Sequence, residues 1–155
     1  MSRMLRPGTR APDFTLPDQG GTPRPLADLL RPGALILYFY PADFTPGCTR
    51  EACFVRDLHG ELARAGLTVA GVSPQSSDSH ARFMEKYQLP FTLLADVGKH
   101  VARLYGVRAP LGLGVRRATF LIGSDGIIRD ALRADFSIAR HEEFVRRAIA
   151  SRTRG

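Results

Sequence analysis

The chain has 155 residues, of which 44% are hydrophobic, and it carries a formal net charge of +7 at neutral pH. A chain of this length buries ~68–70% of its unfolded surface around one core, which predicts a single domain over residues 1–155. No segment reaches the ~18 apolar residues of a membrane-spanning helix and the first residues contain no apolar signal region, so we expect a cytoplasmic protein without membrane contact.

The first predicted element that bears on function is a strand over residues 34–40, a continuous apolar run typical of a parallel strand buried on both faces. Pro41 ends this strand. Thr45 is a good N-cap residue, Pro46 suits the first position of a helix, and apolar residues then recur with helical spacing. Cys48 is therefore expected in the first turn of a helix.

A thiol at the start of a helix is activated by its surroundings. Unsatisfied N–H groups and the positive end of the helix dipole stabilise the thiolate, which is the reactive form of cysteine. This effect accounts for about 2 kcal/mol of an activation barrier, whereas enzymes commonly supply ~8 kcal/mol or more. Other groups must therefore stabilise the charge that moves during a reaction at Cys48.

The remaining pattern alternates strands and helices. The predicted elements in chain order are a strand at 67–73, a helix at about 77–87, a strand at 91–95, a short helix near 97–105, a hairpin of 118–122 with 127–132, and a final helix after Ser137. The first two strands and the Cys48 helix form a right-handed βαβ unit. We predict an α/β fold with a central mixed β-sheet flanked by helices and a site at the carboxyl ends of its strands.

The positive charge is concentrated at the two ends of the sequence. Residues 1–10 contain three arginines, residues 146–155 contain four, and neither segment contains an acid. Outside these segments, 15 basic residues face 15 acidic ones. We predict basic, flexible ends at about 1–8 and 151–155. Basic and aromatic residues do not alternate as a stacking surface requires, so no specific nucleic-acid binding is expected.

The motif Pro41-x-x-x-Thr45-x-x-Cys48 resembles the active-site signature of peroxiredoxins. The run from Tyr38 to Cys53 is similar to the bacterioferritin-comigratory-protein, or peroxiredoxin Q, branch, in which a second cysteine lies five positions after the first. The similarity covers about residues 6–150. Further segments that carry it, in the same order as in the branch, are Ala11–Leu16, Gly71–Pro74, Ser79–His80, Glu85–Phe91, Leu93–Asp96 and Arg117–Ile122.

The resemblance implies a thioredoxin-like fold and a peroxidase for hydrogen peroxide and organic hydroperoxides. The Cys48 thiolate would attack the O–O bond and become a sulfenic acid. Thr45 would hydrogen-bond the peroxide and Pro41 would shield the sulfur from water. Arg117, placed by its spacing to Phe120, would hold the thiolate and the polarised oxygens, a role that suits a permanently charged guanidinium.

By the same resemblance, Cys53 is the resolving thiol. It would form a Cys48–Cys53 disulfide that thioredoxin or a glutaredoxin-like reductant reopens. Residues five apart in a straight helix have Cα atoms roughly 8.6 Å apart, whereas a disulfide needs about 6.8 Å or less. We therefore expect the first turns of the helix to unwind in each cycle and the reduced thiols to lie apart. No cofactor is implied, and the branch favours a monomer.

Several other interpretations are open on the residues alone. The two cysteines are small enough to serve only as buried hydrophobic side chains. A zinc site with His59 lacks the second ligand pair that structural zinc requires, so no metal is expected. A dithiol oxidoreductase would carry Cys-x-x-Cys, and four residues separate the cysteines here. A redox-inactive binding protein that uses the basic ends is the alternative from another functional class.

Two further points concern single residues. Arg116 is as basic as its neighbour Arg117, and His80, His100 and His141 stand singly, so we expect these histidines to cap, pack or lie in solvent. The sequence departs from the branch in the short, glycine-rich connection 108–115, which lacks the usual tryptophan and lysines and leaves the peroxide preference open. Gly123 replaces a common aspartate, which we expect to affect only the hairpin.

Overall fold

The structure is a computed structural model that describes residues 3–153. In chain order its elements are β1 (Thr15–Pro17), β2 (Pro23–Pro25), α1 (Leu26–Leu30), β3 (Ala34–Phe39), α2 (Pro46–Asp57), α3 (His59–Arg64), β4 (Leu67–Ser73), α4 (Ser77–Tyr87), β5 (Thr92–Ala95), α5 (His100–Leu104), β6 (Ala118–Ile122), β7 (Ile128–Arg133) and α6 (Ile138–Thr153). A single 3₁₀ turn at Pro110–Gly112 lies between α5 and β6.

A mixed five-stranded sheet with the order β5-β4-β3-β6-β7 forms the centre of the fold. The middle strand β3 runs parallel to β4 and antiparallel to β6. In the β3–β6 register Phe39 faces Ala118, so the residue before β6 lies at the carboxyl end of β3. The predicted α/β class and the central mixed sheet flanked by helices are confirmed.

The side chains of β3 alternate between two apolar clusters, one on each face of the sheet. Leu35, Leu37 and Phe39 pack with side chains of α1 and α5. Ile36 and Tyr38 pack with side chains of α2, α3, α4 and α6. Burial on both faces explains why β3 is an unbroken apolar run in the sequence.

Most predicted elements are present with shifted ends, and three features differ. The helix that follows Cys48 is divided into α2 and α3 at Leu58, whose φ and ψ of −95° and 5° are not helical. The short β1–β2 hairpin and α1 were not predicted, because each is only three to five residues long. Such short elements carry little periodicity from which to infer them.

The two basic ends are partly inside the described chain. The backbone N–H of Leu5 donates to the Tyr105 carbonyl at 3.2 Å, and that of Gly8 donates to the Ile128 carbonyl at 2.7 Å. Residues 151–153 form the last turn of α6. Residues 1–2 and 154–155 lie outside the described residues, and flexibility of the ends stays a prediction. Within 3–153, no helix has the length and apolar character to cross a membrane.

Candidate active site

Cys48 lies where the sequence predicts it, at the start of the helix that follows the central strand. It is the third residue of α2, and only 2% of its surface is exposed. The first helical bond of this turn joins the Thr49 N–H to the Thr45 carbonyl at 2.8 Å. The sulfur therefore combines a helix N-terminus with a largely dry environment, in which electrostatic interactions are strengthened.

Arg117 contacts this sulfur directly. Its Nη2 donates to Cys48 Sγ at 3.2 Å and its Nη1 donates to Glu51 Oε1 at 2.7 Å. The third guanidinium nitrogen, Nε, is buried without a hydrogen-bond partner among residues 3–153. Burial alone would lower the pKa of Arg117, but the negative charges of Glu51 and Cys48 outweigh it and raise the pKa. A fixed cation thus faces the sulfur with one donor to spare.

Arg116, the neighbouring candidate, is directed elsewhere. Its Nη1 donates to Asp135 Oδ2 at 3.1 Å, and the other oxygen of Asp135 accepts from the Arg117 backbone N–H at 3.1 Å. Asp135 therefore holds the backbone at this point while the two arginine side chains diverge. Of the two basic neighbours, Arg117 is the one beside Cys48.

Glu51 is a buried residue that the sequence reasoning missed. It lies one helical turn after Cys48, is 4% exposed, and forms an ion pair with Arg117. Burial raises its pKa to about 7, although the adjacent Arg117 charge opposes the increase. The sequence did indicate that this residue is buried, since an acid three positions after Cys48 falls on the inner face of the helix. Nothing in the spacing alone identifies its partner.

His141 and Thr119 complete this group beneath the arginine. Burial lowers the pKa of His141 and keeps its ring neutral. Its Nε2 donates to the Ala134 carbonyl at 2.9 Å, so its Nδ1 accepts the hydrogen bond of the Thr119 hydroxyl at 2.8 Å. Glu51 Oε2 lies 3.9 Å from that Nδ1, too far for a hydrogen bond. We refer to Arg117, Glu51, Thr119 and His141 as the arginine cluster.

Gly47 allows the arginine to reach the sulfur. A Cβ atom added at this position would lie 3.2 Å from Arg117 Nη2 and 3.5 Å from Ile138 Cδ1. That first distance is shorter than an ordinary van der Waals contact, so a larger residue would displace the guanidinium. The glycine between Pro46 and Cys48 therefore contributes to the site through the space it leaves.

Thr45 and Pro41 lie in the connection between β3 and α2, and both are exposed. Thr45 occupies the N-cap position as predicted, but the expected side-chain cap is wrong, because no such bond forms. Its hydroxyl instead donates to the Ala42 carbonyl at 2.9 Å, which leaves the lone pairs of its oxygen available. Pro41 follows directly after the buried Tyr40.

Cys53 lies on the same helix as Cys48 and is half-buried, and both are free thiols. The intact helix α2 spans both residues, so the two cysteines occupy different faces of one regular element. The structure thus brings Cys48 and Arg117 together and places Thr45 and Pro41 in the adjoining connection. It leaves Cys53 apart.

A second buried polar group fixes the connection itself. Asp43 is 5% exposed, and its carboxylate accepts from Tyr40 Oη at 2.6 Å, from Ser79 Oγ at 2.7 Å and from His80 Nδ1 at 2.7 Å. Burial alone would raise the pKa of Asp43, but these hydrogen bonds outweigh it and hold the pKa below its ordinary value. We refer to Asp43, Tyr40, Ser79 and His80 as the aspartate cluster.

Hydrogen-bond acceptors face both ring nitrogens of His80. Its Nε2 lies 3.0 Å from the Leu94 carbonyl, which only accepts, and its Nδ1 faces the ionised Asp43. His80 thus joins strand β5 to the β3–α2 connection through two buried contacts. His80 packs in the interior beside Tyr40, as expected for a single histidine, and strand β5 and the β3–α2 connection both direct acceptors at it.

Within residues 3–153, no group of three or more histidine, cysteine or acidic side chains is placed so that it could hold a metal ion. The arrangement that remains is a buried thiol in contact with a guanidinium that has an unused donor. Such a pair is suited to a reaction in which negative charge moves from sulfur to an incoming atom.

Comparison with known proteins agrees with the motif. Residues 7–131 match the AhpC/TSA family. The chain is 46% identical over 127 residues to the putative peroxiredoxin bcp of Coxiella burnetii, which covers 78% of this chain and 83% of that protein. The crystal structure of the peroxidoxin BcpB of Mycobacterium tuberculosis is similar with a TM-score of 0.88 and 39% identity, covering 96% of this chain and 97% of that chain.

A second solved structure, of the bacterioferritin comigratory protein of Xanthomonas campestris, is similar with a TM-score of 0.83 and 30% identity. It covers 97% of this chain and 98% of that chain, and its published description concerns alkyl peroxide reduction activity. The predicted thioredoxin-like fold and the predicted branch are both confirmed by these likenesses.

Proposed function

The chain belongs to the AhpC/TSA family and is a peroxiredoxin, a thiol-dependent peroxidase, and from this premise we propose that Cys48 is its peroxidatic cysteine. The observation that carries the proposal is the 3.2 Å contact between Arg117 Nη2 and the buried Cys48 Sγ. A guanidinium that is already in place costs no reorganisation when charge develops in the transition state.

The proposed first step is attack of the Cys48 thiolate on the terminal oxygen of a hydroperoxide. The S–O bond forms as the O–O bond breaks, which yields a sulfenic acid on Cys48 and an alkoxide or hydroxide that takes a proton from water. The unpartnered Nε of Arg117 offers a donor to the oxygen on which charge develops. The Thr45 hydroxyl, whose own proton is directed to Ala42, offers an acceptor to the peroxide proton.

Pro41 contributes to the same step in our proposal by limiting water at the mouth of the connection. Water that solvates the thiolate lowers its nucleophilicity and competes for the donors of Arg117. Pro41 directly follows the buried Tyr40 and cannot donate a backbone hydrogen bond of its own. Its position is thus compatible with a covering role.

The proposed second step is condensation of the sulfenic acid with Cys53, which forms a disulfide and releases water. Because the intact helix holds the two cysteines apart, the first turns of α2 must unwind before the sulfurs meet. Phe44, one residue before the N-cap, has a φ of 66° although it is not glycine. Such a conformation costs about 1–3 kcal/mol, and unwinding would release it.

The finer assignments follow from the same proposal. Hydrogen peroxide and organic hydroperoxides are the substrates, in line with the alkyl peroxide activity described for the Xanthomonas campestris protein. A dithiol reductant such as thioredoxin or a glutaredoxin-like protein reopens the disulfide. We propose a monomer that acts in the reducing cytoplasm, where a cysteine pair of this spacing serves redox cycling.

One experiment tests both steps. The reduced protein is mixed with one equivalent of hydrogen peroxide, and its intact mass and free thiols are followed in the wild type and in Cys53→Ser. We expect the wild type to lose both thiols and about 2 Da, and the variant to gain about 16 Da as the sulfenic acid. Unchanged masses over minutes in both proteins would contradict the peroxidatic role of Cys48. A gain of 16 Da in the wild type would contradict resolution by Cys53.

A further inference from the structure

A cavity of about 580 Å³ lies between the N-terminal segment, the end of α5, the connection that precedes β6 and the end of β7. Five arginines line it, and none of the acidic residues within 3–153 does. The five are Arg3, Arg103, Arg108, Arg116 and Arg133. They come from four separate parts of the chain, so the positive charge of the cavity cannot be recognised in any single stretch of the sequence.

The wall that carries Arg3 is fixed by a close backbone approach. Gly106 has a φ of 73°, and a Cβ atom at this position would lie only 2.0 Å from the Arg3 carbonyl oxygen. Glycine is therefore required for the N-terminal segment to lie against the end of α5. The hydrogen bond from Leu5 to Tyr105 holds the segment in the same place.

The charges in the cavity are largely uncompensated. Within residues 3–153, Arg116 is the only one of the five with an ion-pair partner, Asp135. Arg24, Arg31, Arg50 and Arg129 each contact an acid elsewhere on the surface, whereas in the cavity five arginines converge and none of the described acidic residues lines the wall. Like charges gathered without counter-ions repel one another and destabilise the folded state unless an anion binds among them.

We propose that this cavity binds a small molecule with a chain of two or three phosphates, such as a nucleoside diphosphate. Guanidinium groups pair with phosphate oxygens through two parallel hydrogen bonds, which favours phosphate over chloride. The cavity volume falls within the ~300–1,000 Å³ range of small-molecule sites. Leu111 lines the cavity with 93% of its surface exposed, and it offers an apolar surface to the organic part of the ligand.

The number and spread of the arginines favour a phosphate chain over a single phosphate. One phosphate has too few oxygens to satisfy five guanidinium groups, each with several donors. The proposal concerns a site of its own and does not depend on the chemistry at Cys48.

The test is calorimetric titration of the full chain with ADP, pyrophosphate and inorganic phosphate as the probes. We expect ADP and pyrophosphate to bind about tenfold or more tightly than phosphate, and the affinity to fall as salt is raised. The double variant Arg103→Ser/Arg133→Ser should weaken ADP binding about tenfold or more. The control Arg82→Ser removes an exposed arginine of α4 and should bind ADP like the wild type.

Three results would overturn the proposal. The first is absence of binding to ADP and pyrophosphate at millimolar concentration, and the second is equal affinity in the wild type and the double variant. The third is tighter binding of a single-stranded oligonucleotide without terminal phosphates than of ADP, which would indicate a nucleic-acid surface. Circular dichroism establishes that the variant is folded, and Arg108→Ser/Arg133→Ser replaces it if it is not.

Discussion

The arginine cluster contacts Cys48 at the start of α2 and the aspartate cluster holds the connection before that helix, and the two differ in how completely their side-chain polar atoms are paired. Every polar atom of the aspartate cluster that the structure describes has a partner, and its central carboxylate accepts three hydrogen bonds. The arginine cluster retains a buried, unpaired Nε on Arg117 and a carboxyl group on Glu51 with a pKa of about 7.

Because of this difference, the aspartate cluster is suited to holding the connection in place, and the arginine cluster is suited to taking part in a reaction. A fully paired buried network holds one geometry and has no capacity left for a ligand. A network with an unused donor is costly in the resting state, because a buried polar group without a partner destabilises the fold by about 1–3 kcal/mol. The same guanidinium contacts the Cys48 sulfur through its Nη2, so the unused donor belongs to the group that we propose to stabilise the charge moving in the reaction.

The largest expected effect is a loss of stability in Asp43→Ala, which removes the central carboxylate of the aspartate cluster. Removal of the carboxylate leaves Tyr40 Oη, Ser79 Oγ and His80 Nδ1 without their shared acceptor, and each buried donor left unpaired costs about 1–3 kcal/mol of the free energy of unfolding. Urea denaturation followed by circular dichroism measures the loss. The matched control is Ser79→Ala, which removes one neutral donor and should cost about 1 kcal/mol. Equal losses in both variants would show that the shared carboxylate carries no special weight.

Arg117→Met should have the opposite profile, with a large loss of rate and a small loss of stability, because Glu51 takes up a proton once the Arg117 charge that lowers its pKa is gone. Removing one such donor of charge stabilisation costs about 100-fold to 1,000-fold in rate. The rate constant for oxidation of Cys48 by hydrogen peroxide, measured by stopped flow, provides the test. Arg50→Met is the control, because Arg50 is an exposed arginine of the same helix that pairs with Glu142. A tenfold or smaller loss in Arg117→Met would place the main charge stabilisation elsewhere.

We expect the stability of the folded protein to depend on pH through Glu51 of the arginine cluster. Its pKa of about 7 in the folded protein exceeds the ordinary value of 4.5, so the folded state retains the proton more firmly than the unfolded state. The resulting stabilisation is fully present below pH 4.5 and is lost as the pH rises to about 7. Relative to the wild type, Glu51→Gln should therefore gain at most about 3 kcal/mol over that interval.

Urea titrations of the wild type and Glu51→Gln at several pH values from 4.5 to 8 measure this difference. A difference between wild type and Glu51→Gln that does not change with pH would show that Glu51 stays in one protonation state throughout.

The smallest expected effect is that of Gly47→Ala. The added methyl group would lie 3.2 Å from Arg117 Nη2, so the guanidinium must move by a few tenths of an ångström. We expect roughly a tenfold loss in the rate of Cys48 oxidation, about 1.4 kcal/mol, with little change in stability. The control Gly60→Ala adds a methyl group to α3, where the nearest atom is the flexible end of Arg64 at 3.4 Å.

The sequence predicted the sheet and the cysteine helix because both rest on local patterns. An unbroken apolar run, a proline and a run of helical spacing determine where Cys48 lies, and the likeness of the motif pointed to Arg117. The roles of Glu51, Asp43 and His80 were not predicted, because they depend on partners up to 66 positions away in the sequence. A lone acid in a sequence is usually solvated, and only the fold shows that these are buried and paired.

The arginine cavity was not predicted from the sequence either, and the reason is the same. By count, the positive excess belongs to the ends of the chain, and the central segments are balanced. In space, four of the five arginines of the cavity come from those central segments, because an even count of charges says nothing about where they converge. Hydrophobic periodicity fixes which face of an element is buried, but it does not determine which exposed side chains meet.

The distance in sequence between Cys48 and Arg117 matters while the chain is being synthesised and folded. The two residues are 69 positions apart, and only the pairing of β3 with β6 brings them together. A chain emerging from the ribosome exposes its cysteine long before its arginine exists, and such distant contacts form late in folding. The thiol of an unfinished chain therefore lacks its guanidinium partner until β6 has paired with β3.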